Sequence, residues 1–265
     1  MIWVLSAAVL ASMTIVMVGA WAFGLARKNG GWTDVFWTFG TGVTLAAASL
    51  VPLSSGAAPQ PRQWLVAGLV ALWALRLGTY IGRRVGQHAE DPRYAKFRAD
   101  WGGDYPRNML FVTLPQAPAA ALLALSVLTA ARTPGAELAL RDVLGVALLL
   151  IAIGGEGLAD AQMKLFKADP ANRGKVADVG LWGWSRHPNY FFEWLAWLAY
   201  PVIGFDPARP VTGLSFVAAV VMFLLLTRVS GIPPLEAAQL KSKGEAYRAY
   251  QARVSAFFPL PPKSA

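Results

Sequence analysis

"WGWSRHPNYFFEWLAWLAY", residues 182–200, places Arg186, His187, Asn189 and Glu193 at the entrance of an aromatic, apolar run. Proline is favoured in the first turn of a helix, so "SRHP" marks a helix start at Pro188 with His187 as the expected cap. The run beyond it is apolar enough for lipid, yet it carries a carboxylate one turn inside. Arg186, Asn189 and Glu193 are spaced three and four apart, which puts them on one helix face. The free N–H groups and partial positive charge of such a helix end suit a phosphate. With Arg186 beside it, the segment reads as a site for a phosphorylated ligand, and Glu193 as an acceptor for ribose or amide hydrogen bonds. A bare carboxylate at membrane depth is costly, so Glu193 needs a ligand, water or a basic partner on a neighbouring helix.

The rest of the chain agrees with a lipid setting. Hydrophobic residues make up 55% of the sequence, which includes eleven tryptophans, and the mean hydropathy is +0.43. That composition belongs to a polytopic membrane protein. There is no cysteine, which excludes disulfides, thiolate metal sites and cysteine nucleophiles. With histidine only at positions 88 and 187, no histidine-built metal centre is expected.

Seven apolar runs are long enough for a hydrocarbon layer of roughly 30 Å. They lie near residues 2–25, 33–53, 63–82, 109–131, 139–158, 188–204 and 211–232. The first ends near a small-residue pattern, Ala20-Trp21-Ala22, but Arg27 and Lys28 follow the apolar run instead of preceding it, so it reads as an anchor and not a signal peptide. No repeat or linker divides the chain, and residues 1–265 read as one all-α domain of seven transmembrane helices.

The net charge of +9 is distributed by topology. The first, third and fifth connections and the tail hold 2, 6, 5 and 6 basic residues, whereas the other connections together hold four: Arg62, Arg132, Arg141 and Arg209. By the positive-inside rule the amino terminus lies outside and the carboxyl terminus in the cytoplasm. The excess is then no sign of nucleic acid binding. The outward connections, "SSGAAPQP" (54–61), "RTPGAE" (132–137) and "FDPARP" (205–210), look like plain links. Side-chain chemistry collects on the inward side, in residues 83–108, 159–187 and the amphipathic tail from Pro233.

Two further polar stripes lead there. On the third span, Arg76, Tyr80, Arg83 with Arg84, and Gln87 share a face, and "EDPRY" beyond it supplies Glu90, Asp91, Arg93 and Tyr94. On the fifth, Glu156, Asp160, Lys164 and Lys167 form a stripe that runs into a loop with Arg173, Lys175 and Arg186. Snorkelling arginines and a structural ion ladder are the plainer readings of these stripes. Three helices with polar inner ends predict one cytoplasmic cavity, polar at its mouth and greasy below. No GxGxxG, Walker loop, HExxH or GxSxG is present, so a nucleotide would be held by the membrane helices themselves.

"GLWGWSRHPNYFFE" (180–193), "DAQMKLFK" (160–167), "SGIPPLE" (230–236) and "YRAYQARVSAFFP" (247–259) resemble bacterial members of the steroid 5-alpha-reductase family, most closely over residues 160–265. "GWTDVFWTFG" (31–40), "LRLGTYIGRR" and "EDPRY" resemble that bacterial branch in particular. The resemblance implies a multi-pass inner-membrane enzyme with its active site facing the cytoplasm, using NADPH to reduce the C4–C5 double bond of a 3-oxo-4-ene steroid or similar lipid enone. Carried over by position, cofactor contacts fall on Asp160, Lys167, Lys175, Asn189 and Glu193, with Arg228, Arg248 and Tyr250 from the last span and tail. Lys164, Arg186, His187, Asp91 and Tyr94 join them from the stripes and loops. The family's catalytic tyrosine on the third span matches Tyr80. Its Gln-Glu pair on the second span has no counterpart here, where Asp34 is the only ionisable group.

Hydride addition to an enone builds negative charge on the carbonyl oxygen, so the site needs a donor aimed at it. Tyr80 is the expected donor, its hydroxyl oriented by Asp34 or Arg76. The rival enzyme is an S-adenosylmethionine-dependent isoprenylcysteine or phospholipid methyltransferase, since those families share an Arg-His-Pro segment. The third reading is a lipid-binding protein without chemistry. The expected partners are an apolar enone and membrane lipid; neither nucleic acid nor a protein partner is expected.

Overall fold

The computed structural model describes residues 1–87, 90–135 and 137–263; His88 lies outside them. The described residues are helical, with no strand and one isolated bridge, Ser185 to Ser255. The helices are α1 (Ile2–Ala26), α2 (Trp32–Ser49), α3 (Pro61–Gln87), α4 (Pro92–Trp101), α5 (Tyr105–Thr113), α6 (Gln116–Ala131), α7 (Leu140–Ala168), α8 (Pro188–Trp197), α9 (Ala199–Gly204), α10 (Val217–Leu224), α11 (Ile232–Lys243) and α12 (Glu245–Arg253).

Five helical stretches among the described residues are long and apolar enough to cross a membrane: Ile2–Ala26, Pro61–Gln87, Arg93–Ala131, Leu140–Ala168 and Pro210–Lys243. Their outer faces carry bare apolar side chains, with Val4, Ile15 and Leu165 each more than 70% exposed. Lipid, not water, suits such a surface, and the chain is a helical membrane protein. Two of the seven expected spans fall short of that measure. In α2 the cause is the polar set Thr33, Asp34, Thr38, Thr41, Thr44 and Ser49. The 188–204 run is broken at Leu198, because Pro201 cannot donate to the Trp197 carbonyl and its ring crowds that group.

The chain falls into two compact units, Met1–Val143 with Tyr200–Ala218, and Leu144–Ala199 with Ala219–Ala265. In the first, α6 is the inner helix, buried continuously from Leu123 to Ala131 and packed against α1, α2 and α3. α1 turns Ser6, Val9, Met13, Met17, Ala20 and Gly24 inward, one face at helical spacing. α2 meets α3 through small residues: a Cβ on Gly42 would collide with that of Ala74. The hydroxyls of Thr38 and Ser49 donate to carbonyls one turn back at 2.8 Å, which satisfies them without water. At one end Arg62 is locked to Asp142 by two 2.8 Å bonds and donates to the Thr133 and Glu137 carbonyls. The connection read as a plain link at 132–137 is thus the lid of a buried ion pair.

In the second unit α8 lies tight on α7, where a Cβ on Gly155 would run into the Phe192 ring. α10 gives way to a π-helical turn, Leu225–Val229, and then to α11. Gly231 makes that junction possible, because a Cβ there would run into the Leu226 carbonyl. Gly244, at φ +52, turns α11 into α12.

Candidate functional site

The second unit gathers the segments around one carboxylate. Pro188 opens α8 as the sequence indicates, and His187 occupies the cap position without making a side-chain cap. Its backbone N–H instead donates to Ser185 Oγ at 3.1 Å, and its ring Nε2 lies 3.3 Å from Glu236 Oε1. Arg186 precedes the helix and so does not share the face of Asn189 and Glu193. Its guanidinium turns to the tail: Nε donates to Glu236 Oε1 at 2.6 Å, and Nη1 to the carbonyls of Gln251 and Val254 at 3.1 and 2.5 Å. Gln251 donates to the other Glu236 oxygen at 2.8 Å, and the Tyr247 hydroxyl reaches Oε1 at 3.5 Å. Burial, then the charge of Glu236, push the Tyr247 hydroxyl up to about 12.

Backbone bonds complete the clip. Arg186 N–H donates to Ser255 and Leu260 N–H to Trp184, while Ser185 Oγ donates to the Phe257 carbonyl at 2.8 Å. The Tyr250 hydroxyl donates to the Trp182 carbonyl at 2.5 Å, and burial raises its pKa. On the other side, "GLWGW" is tied to α7: Trp182 Nε1 donates to the Ala159 carbonyl, and Leu181 N–H to Gln162 Oε1. Gly180 sits at φ +55 with the Gln162 amide 2.5 Å from where a Cβ would be. Deeper in, Phe191, Trp194, Phe223, Phe257 and Phe258 pack mostly edge to face, a greasy wall beneath the polar cluster.

The stripe on α7 is one unbroken helix, with Glu156 and Asp160 buried and Lys164 and Lys167 exposed. Glu193 is buried and accepts from Trp197 Nε1 at 3.0 Å, while Asn189 is half-buried. Lys175 and Arg228 are exposed, Arg228 within the π turn. Lys164, Lys167, Lys175 and Arg228 make no ion pair among the described residues, and Lys167 lies near enough to Lys243 to repel it. By contrast Arg248 is paired with Glu245, and Arg253 with Asp178. Sequence spacing alone does not mark Glu236, Ser185, Tyr247 or Gln251. The one signal was that Glu236 is the lone acid between Asp206 and Glu245.

Asp34, Arg76, Tyr80, Asp91 and Tyr94 belong to the first unit. Arg76 sets its guanidinium 5.6 Å from the Tyr80 ring centre, and Tyr80 is 38% exposed. Asp34 has partners other than Tyr80: it accepts from the Tyr94 hydroxyl at 2.8 Å and from Arg93 Nη2 at 3.2 Å. Asp91 caps α4 through the Arg93 N–H and also binds the Arg93 guanidinium. Burial alone would raise the Asp91 pKa, but the hydrogen bond and charge of Arg93 outweigh it, and the carboxyl ends below its usual range. Glu90 accepts from Gly30 N–H at 2.6 Å and from Arg98 at 2.9 Å. A Cβ on Gly30 would strike the Tyr94 ring at 2.8 Å, which explains the glycine in "NGGWTD".

The chain belongs to the family described as "Protein of unknown function (DUF1295)", whose family model matches residues 20–254. No curated protein and no solved structure matches the chain.

Proposed function

We propose that this protein is an NADPH-dependent membrane reductase of a lipid enone, of the kind that reduces the C4–C5 bond of 3-oxo-4-ene steroids. The observation that carries this reading is the convergence on Glu236. Three of the stretches that resemble steroid 5-alpha-reductases, far apart in sequence, meet there through Arg186, His187, Tyr247 and Gln251. A convergence of that kind is what a shared cofactor site needs and what a merely lipid-filled span does not.

The second unit suits a phosphate-bearing cofactor. Lys164, Lys167, Lys175 and Arg228 are cations without counter-ions among the described residues, and exposed cations of that sort bind phosphate as point charges. Arg186 and Tyr250 are spent on holding the loop, so in this reading they shape the site without touching the cofactor. Asn189 and Glu193, on the α8 face, offer amide and carboxylate groups to ribose or nicotinamide. When bound, NADPH would supply the hydride to the far alkene carbon, and water or the Tyr80 hydroxyl would supply the proton to the carbon beside the carbonyl. Tyr80 donates its hydroxyl hydrogen bond to the carbonyl oxygen as charge builds there, and Arg76 above its ring steadies that charge. Asp34, held by Tyr94 and Arg93, braces the inner end of the first unit and is not the group that orients Tyr80.

In the same reading the chain crosses the inner membrane seven times, with its amino terminus outside and its carboxyl terminus in the cytoplasm, where the site opens. α2, and α8 with α9, count as crossings because 18 residues, and 17 with Leu198 between the two helices, still span about 25–27 Å.

The test is NADPH oxidation by the protein in detergent over steroid and isoprenoid enones, with identification of the product. Tyr80→Phe should lower kcat at least about a hundredfold with little change in NADPH affinity. Lys167→Gln combined with Lys175→Gln should weaken NADPH binding about tenfold and leave the fold intact. Full turnover in Tyr80→Phe would remove the mechanism. Thermal stabilisation by S-adenosylmethionine and not by NADPH would replace the reductase with a methyltransferase.

A further inference from the structure

A cavity of about 190 Å³ opens in the first unit, at the end that carries the amino terminus. Its wall is formed by Ile2, Pro134 and Val211 on the apolar side and by Arg132, Arg209 and three threonines on the polar side. The threonines have nothing left to donate: Thr129 bonds the Leu125 carbonyl, Thr133 those of Thr129 and Gly204, and Thr212 those of Asp206 and Arg209. Among the described residues of the wall, the two arginines are therefore the side chains with donors to spare.

Arg132 is in an unusual state. Its Nη2 donates to the carbonyls of Ala48 and Val51 at 3.3 and 3.0 Å, but Nε and Nη1 are buried with no acceptor among the described residues. Arg62, in the same unit, shows the ordinary solution, with every guanidinium nitrogen bonded to Asp142 or to a loop carbonyl. Buried donors without acceptors are rare and costly, and they mark a place where an acceptor belongs. Among the described residues no carboxylate supplies it. Asp206, the acid on the 205–212 turn, is taken up by Arg209 at 3.6 Å and by the Ala208 N–H at 3.0 Å. Two cations against one acid leave the cavity with a net positive charge in apolar surroundings, where that charge acts strongly.

We propose that this cavity is a binding site for a phosphate oxyanion, with Arg132 and Arg209 as its donors. In this proposal the Arg132 guanidinium turns toward the bound anion, and Arg209, half in solvent, is the second donor. The apolar wall at Ile2, Pro134 and Val211 fits the glycerol and acyl stub of a lipid headgroup. Inorganic phosphate would meet the same two arginines. This site uses none of the residues assigned to reduction and serves the stability of the first unit.

The experiment follows thermal unfolding of the full chain in a neutral detergent by tryptophan fluorescence. It is titrated with short-chain phosphatidylglycerol, with inorganic phosphate, with diacylglycerol, and with chloride at matched ionic strength. The expected result is a saturable rise in Tm with phosphatidylglycerol, with phosphate, or with both, and none with diacylglycerol or chloride. A response to the lipid alone assigns the site to a headgroup, and equal responses assign it to the free anion. Arg209→Gln, at a half-exposed turn, should fold normally and raise the half-saturating concentration about tenfold, with Arg132→Gln losing more. No response to either phosphate source, or an unchanged titration in Arg209→Gln, would overturn the proposal.

Discussion

The two units each contain an arginine that grips a carboxylate and the carbonyls of a loop, and the two arrangements differ in what surrounds them. Arg62 and Asp142 are sealed, with side chains 3% and 1% exposed, and among the described residues Asp142 has only Arg62 and the Ala139 N–H as hydrogen-bond partners. Arg186 and Glu236 are 11% and 16% exposed, and Glu236 is shared with a histidine, a tyrosine and a glutamine from separate segments. The first pair draws its remaining bonds from backbone groups alone and closes the end of a bundle. The second joins a loop, a helix start and a tail, and the exposed Lys175 lies in that loop. The sealed pair closes a bundle, whereas the shared and partly exposed pair is the one the proposed function builds on.

That contrast can be broken by mutation. Asp142→Asn leaves Arg62 charged, buried and short of an acceptor, and should cost about 3–5 kcal/mol, read as a loss of folded protein or a large drop in Tm in detergent. Replacing both Arg62 and Asp142 by leucine should recover most of that loss. Glu236→Gln should cost less, about 2–3 kcal/mol, because water can reach the donors it abandons. Its main effect should be local, as limited proteolysis opens the tail beyond Gly244 while the first unit survives. Equal global losses for Asp142→Asn and Glu236→Gln would erase the distinction drawn here.

Smaller effects sharpen it. Gly30→Ala presses a methyl group against the Tyr94 ring and should destabilise the first unit by about 1–3 kcal/mol, detected as a lower Tm without a change in NADPH affinity. Asp91 gives the weakest signal and a pH signature. Its folded pKa is depressed, so its stabilising effect is present above the unfolded value of about 3.9 and disappears as the pH falls through the lower folded value. Asp91→Asn should therefore lower Tm slightly at pH 7, and the gap from the unchanged protein should close below about pH 4. A gap that persists in acid would assign Asp91 a role other than its charge.

Periodicity made much of the helical frame legible. The stripes on α3 and α7 lie on unbroken helices, and Pro188 opens α8 at the residue its chemistry indicates. The limits of that reading are equally physical. Apolar length alone marks residues 33–53 and 188–204 as spans, yet the threonine face of α2 and Pro201 weaken both. Arg62 stands in a turn-rich connection and looks exposed until Asp142, eighty residues away, is folded onto it. Arg186 has the spacing to share a helix face with Asn189 and Glu193, but the helix starts two residues later and frees it to reach the tail. Glu236 is a single acid in an amphipathic segment, and only contacts across fifty residues give it importance. Local period finds elements; it does not find the long-range partners that turn elements into a site.

The central claim is that the clipped loop and tail of the second unit form the seat of a dinucleotide. Hydrogen exchange of the purified protein with and without NADPH measures this directly. Protection on binding should be concentrated in residues 160–193 and 228–255, with the Glu236→Gln variant protected less in the same segments. No NADPH-dependent protection there, or protection confined to other parts of the chain, would contradict the account.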